Sequence, residues 1–122
     1  MEIDEILDHC IAKPGAYDDF PFGEDTLVLK VSGKMFALTN LSRHPLRINL
    51  KCDPQRALQL RERYDAIEPG YHMNKRHWNT LTLDGSLPAS LLAECLDHSY
   101  ELVVAGLTRA QRASLTQTDS DE

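Results

Sequence analysis

The sequence predicts an α+β domain in which helices pack on one face of a mainly antiparallel sheet. Apolar residues alternate with polar ones within 26–51 and again within 79–83, which is the pattern of half-buried strands. Around these strands, apolar residues recur at helical spacing within 3–11, 54–64 and 88–107. The chain has 122 residues, 42% hydrophobic and 26% charged, which is typical of one globular domain.

The first helix is expected to be acidic and amphipathic. Its apolar residues recur on one side, at Ile3, Ile6, Leu7, Cys10 and Ile11. Four acids lie on the other side, and "KPG" at 13–15 ends the helix.

A hairpin follows. "TLVLKV" at 26–31 and "MFALTN" at 35–40 are typical of strands, and Ser32-Gly33 supplies the turn between them. The segment Pro21-Phe22-Gly23 is expected to anchor the chain where it enters the first strand, which is a structural role.

The third strand is "LRINLK" at 46–51, and its alternation is clean. Arg47 and Lys51 point away from the side that carries the apolar residues, and Lys30 does the same in the first strand. One face of the sheet should therefore be apolar and the other cationic.

The remaining elements begin with clear signals. Asp53 and Pro54 are an N-cap and a first-turn residue for the helix over 54–64. "NTLTL" at 79–83 alternates as the fourth strand, and Pro88 opens the last long helix. The predicted order is helix, three strands, helix, strand, helix.

Residues 1–107 are expected to form a single domain, and 108–122 a polar, partly disordered C-terminal tail. The three cysteines are an odd number without Cys-x-x-Cys spacing, which is typical of a reducing compartment. The first residues are acidic where a secretory signal is basic, and no apolar segment reaches membrane-spanning length. We therefore expect a cytoplasmic monomer that has no membrane segment.

The stretch "GYHMNKRHWNTL" at 70–81 concentrates side chains that bind other molecules. It contains two histidines, two adjacent cations and the only tryptophan of the chain. Trp78 has the same strand parity as Thr80 and Thr82, which predicts that it lies on the outward face of the fourth strand.

Three blocks carry a resemblance to a known family: "KPGAYDDFPFGEDTLVLKVSGKMFAL", "PGYHMNKRHWNTLTLDGSLP" and "DHSYELV". In order and spacing they resemble the MmcQ/YjbR family. The resemblance implies a CyaY-like (frataxin-like) two-layer sandwich and a DNA-binding label tied to a double-wing motif. The matching signature residues here are His72, Asn74, Lys75, His77, Trp78, Asn79 and Thr80.

Two binding functions use the same surface. Cations on the sheet face are suited to phosphates and asparagines to base edges, which favours DNA. The net charge of −6 opposes this, but residues 26–52 hold five cations and no acid. The alternative is a protein partner that docks on Trp78. The candidate residues for either function are Lys30, Arg47, Lys51, His72, Asn74, Lys75, Arg76, His77, Trp78 and Asn79.

Catalysis and a bound metal or cofactor are not expected. His72 and His77 are the best acid–base candidates, but no nucleophile spacing, phosphate-cradling loop or cofactor fingerprint accompanies them. Cys95 and His98 lie three residues apart on a helix, where Cys95 is most simply a core residue. A loosely held divalent cation on the acids of the first helix is the remaining alternative.

Overall fold

The computed structural model describes residues 1–71 and 73–120, with side chains as far as residue 115. These residues form four helices and six strands. In chain order the elements are α1 (Ile3–Ile11), β1 (Ala16–Asp19), β2 (Thr26–Val31), β3 (Lys34–Asn40), β4 (Arg47–Lys51), α2 (Pro54–Arg63), β5 (Ile67–Pro69), β6 (Trp78–Thr82), α3 (Ala89–Ala105) and α4 (Arg109–Ser120).

The six strands form one antiparallel sheet in the order β1-β2-β3-β4-β6-β5. Its covered face, which carries Leu29, Ile48 and Leu81, packs against the helices in a single core. Helix α3 lies across β2, β3 and β4, while α2 lies against β5 and β6. The other face, named the open face here, includes Asn49 and Thr80, which follow those core residues in strand alternation. The expected two-layer α+β sandwich is confirmed.

The helices begin at the expected signals. In α2 the side chain of Asp53 accepts a hydrogen bond from the N–H of Arg56 at 3.3 Å, and Pro54 occupies the first turn. In α1 Glu2 and Glu5 form a capping box. The core side of α1 buries Ile6 completely, as its apolar spacing predicts.

Helix α3 is tied to the sheet where β3 and β4 separate. The register between β2 and β3 shifts at Leu29/Lys30, which leaves Phe36 outside the regular pairing. Ser99 of α3 bridges β3 and β4 at this point. Its hydroxyl donates to the Phe36 carbonyl at 2.5 Å and accepts from the Lys51 N–H at 2.9 Å. The ring of Phe36 packs edge-on against Tyr100, with centroids 5.4 Å apart. This junction fixes α3 against the covered face.

The structure adds three elements to the predicted order. Strands β1 and β5 lie at the two edges of the sheet and have only four and three residues, too few to show a period of two. Within the expected polar tail, Arg109–Ser120 forms a helix. A capping box starts this helix, since Thr108 and Gln111 exchange hydrogen bonds of 2.9 and 3.1 Å. Residues 121–122 of the expected tail lie outside the described residues.

Within the described residues, none of the helices has both the length and the apolar character that are needed to cross a membrane.

Candidate binding site on the open sheet face

Three side chains lie side by side across the middle of the open face. Leu38 of β3 pairs with Asn49 of β4, and Asn49 pairs with Thr80 of β6. The Thr80 hydroxyl donates to Asn49 Oδ1 at 2.5 Å and accepts from the N–H of Tyr71 at 2.9 Å. Asn49 and Thr80 are both buried. Together with Leu38 they form a partly polar floor, held by these hydrogen bonds.

Loops rise around this floor and enclose a pocket of about 390 Å³, named the open-face pocket here. Phe22 comes from the β1–β2 loop and Arg43 from the β3–β4 loop. Tyr71 and Met73 come from the β5–β6 loop. The side chain of Met35 on β3 also lines the pocket. The concave site is thus built from the sheet face and three separate loops.

The rim of the pocket combines aromatic surface with positive charge. The guanidinium of Arg47 lies over the Tyr71 ring, 5.5 Å from its centroid. Phe22 is 70% exposed and Tyr71 52% exposed, which is unusual for large apolar side chains. Such surface is typical of sites that contact another molecule.

Lys30 lies on the open face as predicted, but its charge is already balanced. Its ammonium donates to the carboxylate of Asp19 at 2.8 Å, across the β1–β2 pair. This hydrogen bond lowers the pKa of Asp19 and raises the pKa of Lys30. The pair leaves little net charge at this end of the open face.

Lys51 and Trp78 face each other across β4 and β6. Strand alternation puts both on the open face, which agrees with the parity predicted for Trp78. Trp78 is half-buried. Among the side chains that the structure describes, none forms a hydrogen bond or ion pair with the charged ends of Lys51, Arg43 or Arg76.

Several polar groups of the β5–β6 loop form hydrogen bonds within the loop. Asn74 Oδ1 accepts from the N–H groups of Arg76 and His77, at 2.9 and 3.3 Å. The Lys75 ammonium donates to the Gly70 carbonyl at 3.1 Å. Gly70 has no space for a side chain, because a Cβ there would lie 2.8 Å from Cβ of Trp78. Asn74 and Lys75 therefore shape the loop.

Asn79 was expected on the binding surface, but it points to the covered face and is 1% exposed. It lies opposite Leu50, and its amide donates to the Ala57 carbonyl of α2 at 3.5 Å. Nε of Arg61 donates to Asn79 Oδ1 at 2.6 Å, and its NH2 group donates to the carbonyls of Lys75 and Trp78. Asn79 and Arg61 thus tie the loop to α2. No sequence pattern marks Arg61 for this role.

The structure brings together only part of the set of residues that were predicted to bind DNA or a protein partner. Arg47, Lys51 and Trp78 share the open face with Lys30, while exposed Arg76 and half-buried His77 lie in the adjoining loop. His72 lies outside the described residues. Of the residues that line the open-face pocket, only Arg47 was among the predicted binding residues. Phe22, Arg43 and Tyr71 were missed because no periodicity marks them and their three loops converge only in the folded chain.

The thiols are not arranged for chemistry. Cys10, Cys52 and Cys95 are free and buried. Burial raises the pKa of Cys10 to about 12 and that of Cys52 to about 11, so neither is a thiolate at neutral pH. In the described part of the chain, no group of three or more His, Cys, Asp or Glu side chains is placed to hold a metal ion.

These features define an α+β protein whose open sheet face carries cations and exposed aromatics around a pocket. The family model YjbR matches residues 11–102, and the chain belongs to the YjbR family. The resemblance found in the sequence is thereby confirmed.

Relatives and solved structures agree with this assignment. The uncharacterized protein YjbR of Escherichia coli K12 is 36% identical over 117 residues, which cover 96% of this chain and 99% of the relative. YbdF of Escherichia coli O157:H7, also uncharacterized, is 41% identical over 74% of each chain. The crystal structure of Deinococcus radiodurans protein DR2400, with a DUF419 domain, has a TM-score of 0.88 at 45% identity, covering 93% of this chain and 87% of that one.

A second solved structure, of a protein from Pseudomonas syringae, has a TM-score of 0.72 at 29% identity. The match covers 84% of this chain and 98% of that one. The sandwich is thus shared with proteins of clearly different sequence.

Proposed function

We propose that this protein is a non-catalytic DNA-binding monomer that contacts nucleic acid through its open face. One observation carries the proposal: Arg43 and Arg47 present positive charge beside the exposed ring of Tyr71 in one concave site, and Lys51 adds a further cation on the same sheet face. Phosphate groups are attracted by such cations, and aromatic rings beside them provide contacts with bases or sugars. We place this activity in the cytoplasm, because three unpaired cysteines are typical of reducing compartments.

The acidic net charge does not oppose this function, because the acids lie mostly elsewhere. The exposed acids of α1, such as Glu2, Asp4 and Asp8, lie on the helical layer. On the open face, Asp19 is paired with Lys30. Three exposed acids lie nearby, Glu68 on the β5 edge and Glu24 and Asp25 in the β1–β2 loop. The described lining of the pocket itself holds two arginines and no acid, and therefore favours anions although the whole chain does not.

Docking of a protein partner is the second candidate, and the exposure of Phe22 supports it. An exposed phenylalanine beside arginines is typical of binding hot spots between proteins. We favour DNA because Arg43, Arg47 and Lys51 form no ion pair with a described side chain, so they would repel a basic partner, whereas every nucleotide offers them a phosphate.

The test compares two charge reversals that are matched in their surroundings. Arg47 on the open face lies over the ring of Tyr71, and Arg63 of α2 lies over the ring of Tyr64 at the same distance of 5.5 Å. Arg47→Glu and Arg63→Glu change the net charge equally, but only Arg47 lines the pocket. Binding of labelled mixed-sequence DNA is followed by fluorescence anisotropy at several salt concentrations, with a single strand and its duplex measured separately.

The wild-type protein is expected to bind at least one form of DNA with micromolar affinity that weakens as salt rises. Arg47→Glu should weaken binding and lower the slope of log K against log salt by about 1, as the loss of one phosphate contact does. Arg63→Glu should leave that slope unchanged. Equal effects of the two reversals, or no binding of either form of DNA, would contradict the proposal.

A further inference from the structure

We propose that the open-face pocket takes one unpaired nucleobase, so that the protein prefers single strands to duplex DNA. The inference rests on the proposed function, and it adds the form of nucleic acid and the place where a base enters. It depends on the shape of the pocket, the orientation of its hydrogen-bond donors and the exposure of one aromatic ring.

The size of the pocket suits a single nucleotide unit. Its volume of about 390 Å³ lies at the lower end of the range for small-molecule sites, roughly 300 to 1,000 Å³. A base that is stacked and paired within a duplex cannot enter a cavity of this size without leaving the stack. An unpaired base of a single strand enters at little cost.

The walls match the flat faces of a base. Phe22, Met35, Leu38 and Met73 contribute apolar surface to the lining. Phe22 has most of its ring open to solvent, so that it can stack without rearrangement of the core. The outside of a duplex offers phosphates and groove edges, which gain little from such surface. Aromatic platforms of this kind are typical of single-strand binding.

The floor offers a directed hydrogen-bond donor. Asn49 lines the pocket and its Oδ1 already accepts from Thr80, so Nδ2 is the amide atom that remains for a ligand. Nδ2 has no partner among the described residues, although every fully buried side-chain nitrogen and oxygen of those residues has one. An amide with this orientation donates to the carbonyl or ring nitrogens of a base edge. Arg43 and Arg47 at the rim are placed for the neighbouring phosphates.

The experiment uses two phenylalanines of the same loop. Phe22 lines the pocket, whereas Phe20, which is also exposed, does not. Phe22→Leu and Phe20→Leu remove the same aromatic ring from a surface site. The full chain and both variants are titrated against a labelled 12-nucleotide single strand and against its duplex, at one salt concentration. Thermal unfolding checks that both variants remain folded.

The single strand is expected to bind at least fivefold more tightly than the duplex, and Phe22→Leu should weaken single-strand binding about fivefold or more, as loss of one stacked base does. Phe20→Leu should leave single-strand binding unchanged.

Equal binding of the single strand and the duplex, or equal effects of the two variants, would overturn the base pocket while leaving the Arg47-dependent function intact. If a thymidine mononucleotide competes as well as the strand, the pocket is a nucleotide site and the strand preference is wrong. No binding of either form overturns both proposals.

Discussion

Two neighbouring residues of β6 show how the two faces of the sheet differ. Asn79 and Thr80 are both buried polar side chains, with 1% and 2% exposure. Asn79 turns to the covered face, where Arg61 and Ala57 occupy its amide. Thr80 turns to the open face and fixes the floor of a pocket. Burial and polarity alone therefore do not separate residues that tie the layers together from residues that line the pocket; the face of the sheet does.

The largest difference between the faces is expected in stability. Ile48 and Arg47 are neighbours in β4, and Ile48 is 1% exposed in the core. Ile48→Ala should lower the free energy of unfolding by about 2–5 kcal/mol, because it leaves a cavity. Arg47→Ala on the open face should cost about 1 kcal/mol or less, the value of its contact with Tyr71. Urea unfolding measures the free energy of unfolding of both variants. Equal losses in the two variants would mean that Arg47 is packed as tightly as a core residue.

A smaller loss is expected when the link between the loop and α2 is removed. Asn79→Ala leaves Nε of Arg61 without its acceptor and should cost about 1–3 kcal/mol. Asn79→Asp keeps an acceptor for Arg61 and should cost less. Both free energies come from urea unfolding. If Asn79→Ala weakened DNA binding while stability stayed unchanged, the assignment of Asn79 to the covered face would be wrong.

Stability is also expected to depend on His98, on the helical side. Burial, together with repulsion from Arg56, lowers the pKa of His98 below its ordinary value of 6.5. The folded protein thus binds fewer protons than the unfolded chain, and stability falls as pH drops below 6.5. Protonation also removes the acceptor that His98 Nε2 offers to the N–H of Asp53 at 3.1 Å.

Urea unfolding at pH 7.5 and 5.5 tests this, and the loss should be at most about 1 kcal/mol, the value of one hydrogen bond. His98→Gln keeps an acceptor that does not titrate and should reduce the difference between the two pH values. An unchanged difference in that variant would assign the effect to another group.

The smallest effect is expected at Lys30, although it lies on the open face. Because the charges of Lys30 and Asp19 cancel, the double variant Asp19→Asn/Lys30→Gln should change DNA affinity little. Lys51→Gln removes a cation that has no partner among the described residues, so the salt slope should fall by about 1. Anisotropy titrations of the two variants provide the comparison. Equal losses would show that the salt bridge opens on binding.

Long periodic elements could be predicted well from the sequence, whereas contacts between distant loops could not. Alternation within 46–51 placed Arg47 and Lys51 on the correct face, because a strand has a strict period of two. The same rule also places Asn79 on the covered face with Leu81, but the prediction grouped Asn79 with the polar stretch at 70–81 and was wrong. Phe22 was assigned a structural role, since nothing local shows that its loop rises beside the pocket.

The two edge strands found only in the structure limit how the sheet can grow. Strand β5 ends in Pro69, which has no N–H to donate. Strand β1 ends in two acidic residues, Asp18 and Asp19. Short edges with proline or charge are poor templates for another strand. Two copies of the chain are thus discouraged from joining edge to edge into aggregates at high concentration. An extended ligand gains little by adding itself as a seventh strand, and must lie across the sheet instead.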